Sequence, residues 1–95
     1  MNRNTDKKCF INEDFAQVLA ALNNPEDVKK FLSEILTDAE NLALAKRWEI
    51  LQMLTNGSSQ REIAKTLEVS LCKITRGAKI LKNQDGIVSK HFNKK

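Results

Sequence analysis

Apolar side chains recur three and four residues apart in successive blocks of this chain, and that spacing is the strongest constraint on its fold. Phe15, Val18, Leu19 and Leu22 form the first stripe, closed by Asn23-Asn24. Pro25 follows, suited to the first turn of a helix because the N–H it lacks would have no partner there. Val28, Phe31, Leu32, Ile35 and Leu36 make the second stripe. Thr37, with Glu40 three places on, has the spacing of a capping box that opens a third and longest helix, through Leu44, Trp48, Leu51 and Leu54. Gly57 tolerates the left-handed turn that closes such a helix.

Ser58 and Ser59 supply the next caps, with Glu62 behind them, and Ile63, Ala64 and Leu67 form the inward face of a helix of about eight residues. Ser70 caps a further helix whose apolar positions are Leu71, Ile74, Ala78 and Leu81, with Lys79 and Lys82 where cations suit the dipole. A last helical stretch runs from roughly Gln84 to Phe92, ahead of the basic Asn93-Lys94-Lys95. One Pro and three Gly leave little room for a disordered or β-rich design. The expectation is an all-α fold of five to six helices. Met1 to about Asn12 lacks a consistent apolar face and reads as a mobile arm (1–12), with residues 13–95 as one helical domain.

A chain of 95 residues builds a single marginal core, so self-association is a live expectation. Residues 1–57 hold seven Lys/Arg against nine Asp/Glu, whereas residues 58–82 hold six against two. The basic excess therefore lies in the second half, where a polyanion would dock. No apolar run has the length of a membrane span and the first ten residues lack the apolar middle of a secretory signal, so a cytoplasmic protein with no membrane partner is expected. Cys9 and Cys72 are far apart with no metal-ligand spacing and read as reduced thiols, with no metal. No Ser-His-Asp set, carboxylate pair or phosphate loop is present, and His91 reads as an exposed helix-end residue; an enzyme is not expected.

Two short helices joined at Glu68-Val69-Ser70, with small Ala64 where they cross and Ile63, Leu67, Val69 and Ile74 inward, match a helix-turn-helix. Such packing turns the second helix's other face toward the major groove of double-stranded DNA. Ser70, Leu71, Cys72, Lys73 and Thr75 would be presented there: Lys73 donates to guanine acceptors, Thr75 to base or phosphate, and Leu71 or Cys72 touches a thymine methyl. Gln60, Arg61 and Lys65 on the first helix would hold phosphates. The competing reading is a helical protein-interaction module with a solvated basic face, and Glu68 at the turn position where Gly is usual counts toward it.

The stretch QREIAKTLEVSLCKITRGAKILK, with LTDAENLALAKRWEILQML upstream, resembles the Trp repressor family, most specifically at Gln60-Arg61-Glu62 and Ile74-Thr75-Arg76-Gly77. The resemblance implies an intertwined homodimer, with residues 13–57 as dimerisation helices, 58–82 as the helix-turn-helix and 83–95 as a carboxyl-terminal helix and basic tail. It implies a repressor of DNA with a pseudo-palindromic operator, and L-tryptophan or a related molecule as corepressor. Arg47 and Arg76 would stack on the two faces of the ligand, with Arg76 also meeting its carboxylate. Thr37 would help bind that carboxylate across the dimer, and Gly77 would leave room for the ring. At Ile80, near the ligand's amino group, the family usually has a hydroxyl residue; at Lys73 a small residue is familiar. The Gly57-to-Gln60 connection looks one residue shorter than in the best-known members. Those departures keep a ligand-independent DNA-binding protein of the same fold as an alternative. They also leave Arg47 open as surface charge, Thr37 as a cap, Gly77 as a packing contact and Arg76 as a phosphate clamp.

Overall fold

The computed structural model describes residues 8–93. Among these, the chain forms six helices: α1 (Glu13–Ala21), α2 (Pro25–Ile35), α3 (Asp38–Thr55), α4 (Gln60–Leu67), α5 (Leu71–Lys82) and α6 (Ile87–Phe92). They fall into two compact units that divide between Thr37 and Asp38, inside the segment 13–57 that the family resemblance implies for dimerisation. The expected arm lies mostly outside the described residues, as do Lys94 and Lys95 of the basic tail.

The first unit is the helix pair α1 and α2. Asn12 starts α1 by accepting the Phe15 N–H at 2.8 Å, and Asn24 starts α2 by accepting the Asp27 N–H at 2.9 Å, with Pro25 in the first turn. Glu13 and Asp14, then Glu26 and Asp27, place negative charge at the positive end of each helix dipole. The Phe15 and Phe31 rings join the pair, their centroids 5.8 Å apart. No side chain of either helix is fully buried, and Val18 and Ile35 stand exposed. Two short amphipathic helices that bury nothing completely draw little stability from their own contacts.

The second unit, α3 to α6, contains the core. Ile50, Ile63 and Ile74, one each from α3, α4 and α5, are essentially inaccessible, with Met53, Leu54, Ala64, Leu67 and Val69 packed around them. Each fully buried isoleucine contributes about 1.5–3 kcal/mol. The α3 stripe differs from its sequence reading: Leu44 and Trp48 are exposed, while Ile50 joins Leu51 as the buried pair. The physical reason is that α3 is apolar on more than one side, so spacing alone does not select the face that meets α4 and α5. Gly57, at φ +92°, closes α3 as expected. Its N–H bonds to Leu54 O at 3.1 Å, and the Ser58 N–H to Met53 O at 2.9 Å, the paired bonds of a Schellman ending.

The last helix begins at Ile87 rather than Gln84. Gln84 and Asp85 form a turn, in which the Gly86 N–H reaches back to Asn83 O at 3.0 Å. Ser89, the one buried polar residue among those described, fastens α6 to the end of α5. Its hydroxyl lies 3.1 Å from Ile80 O and 2.9 Å from Leu81 O, donating to carbonyls of the last turn of α5, where helical partners run out; Ile80 O also accepts the Asn83 N–H at 3.2 Å. Beyond it, Trp48 of α3 packs against His91 and Phe92, with centroid distances of 5.5 and 5.0 Å.

Candidate nucleic-acid interface

The α4–α5 pair is held by local hydrogen bonds at both of its starts. At α4 the capping box is complete: Ser59 Oγ accepts the Glu62 N–H at 3.1 Å and Glu62 Oε1 accepts the Ser59 N–H at 3.2 Å. At α5, Ser70 Oγ accepts the Lys73 N–H at 3.4 Å. Between them Glu68 sits at φ 55°, ψ 52°, the left-handed region where a glycine would rest without cost. The Val69 N–H then bonds to Ala64 O at 3.3 Å. The glutamate thus takes the turn geometry of a helix-turn-helix in spite of its side chain, at a cost of about 1 kcal/mol.

This turn lays α5 on the core by one narrow side. Ile74 and Gly77 are buried, whereas Leu71, Cys72, Lys73, Thr75 and Arg76 are all exposed, Leu71 by 56%. Leu71, which spacing also places on the apolar stripe, is therefore on the outward side. Gln60, Arg61 and Lys65 of α4 are exposed too, and with Ala64 and Leu71 they line one depression where α4 meets the start of α5. Ser70 is exposed while its oxygen serves as the cap. The outward face offers ammonium, guanidinium, hydroxyl and amide groups beside apolar Leu71, the mixture that base edges and phosphates take.

Behind this face lies a cleft of about 80 Å³ between α3 and α5, lined by Arg47, Ile50, Leu51, Lys73, Arg76, Gly77 and Ile80. Four of the residues that resemblance assigns to a ligand, Arg47, Arg76, Gly77 and Ile80, are brought together here. Thr37 is exposed and belongs to the first unit. Three liners escaped sequence reasoning as such: Ile50, Leu51 and Lys73. Helical spacing held the signal, because Ile50 and Leu51 follow Arg47 by three and four residues and Lys73 precedes Arg76 by three.

Gly77 has a structural reason of its own. A Cβ there would stand 2.9 Å from Ile50 Cγ2 and 3.4 Å from Leu54 Cδ1, so glycine is what lets α5 approach α3 this closely. Trp48 lines no part of the cleft, and His91, exposed as expected, rests its ring on Trp48. Cys9 and Cys72 are free and exposed, and among the described residues no three His, Cys, Asp or Glu side chains gather to hold a metal ion.

A family model described as Trp repressor protein matches residues 12–95. A Trp operon repressor homolog of Xylella fastidiosa (strain M23) is 40% identical over 84 residues, covering 87% of this chain and 89% of that protein. A Trp operon repressor homolog of Chlamydia caviae is 37% identical over 73 residues, 76% of this chain and 72% of that protein. One from Photobacterium profundum is 46% identical over 66 residues, 68% of this chain and 62% of that protein. No solved structure matches the chain significantly. With six helices, an outward-facing α5 and a match that runs from the cap of α1 through α6, the chain belongs to the Trp repressor protein family, whose members are transcription regulators and not enzymes.

Proposed function

We propose that the chain is a cytoplasmic repressor that binds a pseudo-palindromic operator as a homodimer. A small flat corepressor, L-tryptophan or a related molecule, would sit in the α3/α5 cleft. The observation that carries the DNA reading is the division of α5 into a buried edge, Ile74 and Gly77, with Ala78 and Leu81 half-buried, and an exposed face that presents Cys72, Lys73, Thr75 and Arg76 beside apolar Leu71. A helix supported from one side only fits the major groove, and two such helices related by a dyad would enter successive grooves about 34 Å apart. Lys73 and Thr75 would meet base edges, with Leu71 or Cys72 at a thymine methyl, Ser70 beside them, and Gln60, Arg61 and Lys65 on phosphates. Dimerisation is favoured by α1 and α2, which leave every apolar side chain at least partly exposed.

In the cleft, Arg47 and Arg76 would bracket a ring, since guanidinium planes stack on aromatic faces. Arg76 would also take a carboxylate, Thr37 would help from the partner subunit, and Gly77 and Ile80 would form the wall beside the ring. A ligand held there touches both the long helix and the reading helix, so it would fix the angle between them. The test is selection of duplexes from a random pool at several salt concentrations, with and without L-tryptophan. A two-fold motif that survives moderate salt is expected. Indifference to sequence would refute the repressor reading in favour of a protein partner, and a motif unchanged by any aromatic ligand would leave a ligand-independent DNA binder.

A further inference from the structure

Glu68 disfavours the fold in two ways. Its backbone is left-handed, at φ 55°, ψ 52°, where a residue with a side chain is strained. Its carboxylate is also carried at the carboxyl end of α4, the end of a helix dipole that disfavours an anion. It lies two residues outside the Ser70 cap, short of the first turn in which α5 would favour one. The side chain is exposed, and no hydrogen bond or ion pair reaches it among the described residues. Nothing in the packing of the chain accounts for a charge here.

The surrounding charge does. Residues 58–82 hold six Lys/Arg against two Asp/Glu, and the other carboxylate, Glu62, accepts the Ser59 N–H at 3.2 Å in the α4 capping box. Glu68 is therefore the one uncommitted carboxylate of the helix-turn-helix, set between Lys65, three residues before it, and Lys73, five after, both exposed. Its backbone is pinned, because the Glu68 and Val69 N–H groups both bond to Ala64 O. Three residues separate it from Leu71, a span of at most about 11 Å, so its charge belongs to the end of α5 whose side chains meet base edges.

We infer that Glu68 limits sequence-independent binding: its negative charge, held at the turn into α5, repels phosphates and weakens every complex that rests on phosphate contacts alone. The inference rests on the DNA-binding reading and adds a repulsive element to it. A phosphate held by Lys65 would stand close to Glu68, and charges within a Debye length, about 8 Å at physiological salt, are only partly screened. Complexes held by phosphates alone have Kd values of about 10⁻⁴–10⁻⁶ M, so a several-fold loss empties them. A complex that adds base contacts is tighter by about 10³–10⁷ and stays filled after the same loss. The strained turn is thus kept with a side chain because glycine there would carry no charge.

Three variants separate charge from strain. Glu68→Gln removes the charge and keeps the strain, Glu68→Asp keeps the charge and eases the strain because Asp tolerates the left-handed region, and Glu68→Gly removes both. Fluorescence anisotropy of a labelled random-sequence duplex, titrated with each full-length protein at several salt concentrations, gives affinity and salt slope. The Gln and Gly variants should bind up to about eightfold more tightly than the parent at about 0.1 M salt, with a slope steeper by up to about one, and the Asp variant should stay with the parent. Affinities that sort by strain instead, Asp with Gly and Gln with the parent, overturn the inference and give the residue a backbone role. Four equal affinities and slopes overturn it too. Sequence-selective binding by the parent would survive either result, whereas a parent that binds no duplex at about 50 mM salt overturns the DNA-binding reading together with the inference.

Discussion

Gly77→Ala should lower the melting temperature by about 4–8 °C, and the sign of that shift decides why a glycine stands there. Two effects compete. Alanine is a better helix former than glycine by about 0.8–1.0 kcal/mol, which favours the variant. Against it, the new Cβ would lie 2.9 Å from Ile50 Cγ2, well inside the contact distance of about 3.5–4.0 Å between carbon atoms. Ile50 is 1% exposed, and its Cγ2 is the branch fixed to Cβ rather than the free end of a long side chain, so little room for retreat exists. Overpacking of this kind costs about 1–3 kcal/mol, leaving a net loss near 1 kcal/mol, and each kcal/mol moves the midpoint of a domain this size by about 4–8 °C. Thermal unfolding followed by circular dichroism, at one protein concentration because association shifts the midpoint, gives the readout. Ile50→Leu removes the offending branch, so the double variant should lose less than the sum of the singles. A Gly77→Ala protein that melts at or above the parent would refute the crowded helix crossing, and loss of ligand binding in that same protein would assign the glycine to the ring instead.

Glu68→Gly should raise stability by about 1 kcal/mol in urea unfolding, since it relieves the left-handed strain at the turn; an unchanged midpoint would count against that strain. Ser89→Ala should cost about 1 kcal/mol and speed amide exchange throughout α6 relative to α4, because the hydroxyl that fastens it to Ile80 O and Leu81 O is lost. Arg61→Ala should weaken binding to every duplex and reduce the salt slope by about one, whereas Lys73→Ala should cost about 1–3 kcal/mol at one or two base pairs. Footprints in which both variants lose affinity uniformly would refute the base-reading role of Lys73.

The caps that start and stop these helices are legible in the sequence because they are local chemistry: Ser59 with Glu62, Ser70, and Gly57 each act within a few residues. The helix-turn-helix is legible for the same reason, through Ile63, Ala64, Val69 and Ile74. What escapes depends on contacts distant in sequence. Ile50 is chosen over Leu44 by where α4 and α5 cross α3, and α3 has apolar side chains around much of its circumference. Lys73 serves both the outward face and the cleft only because α5 approaches α3 closely at Gly77, a relation no single-helix pattern contains. The start of α6 is hidden because Gln84 and Asp85 are acceptable helix residues, and the turn that excludes them is decided at Gly86.

The packing of Trp48 on the carboxyl-terminal helix gives this chain its own optical reporter. It is the sole indole in the protein, seated 5.0 Å from Phe92 and outside the cleft. Its emission maximum will therefore follow the docking and release of α6, shifting further to the red as the part of this already exposed ring that His91 and Phe92 cover is opened to water. Events at α5 can then be timed against the undocking of the chain's last helix in one cuvette, without attaching a dye.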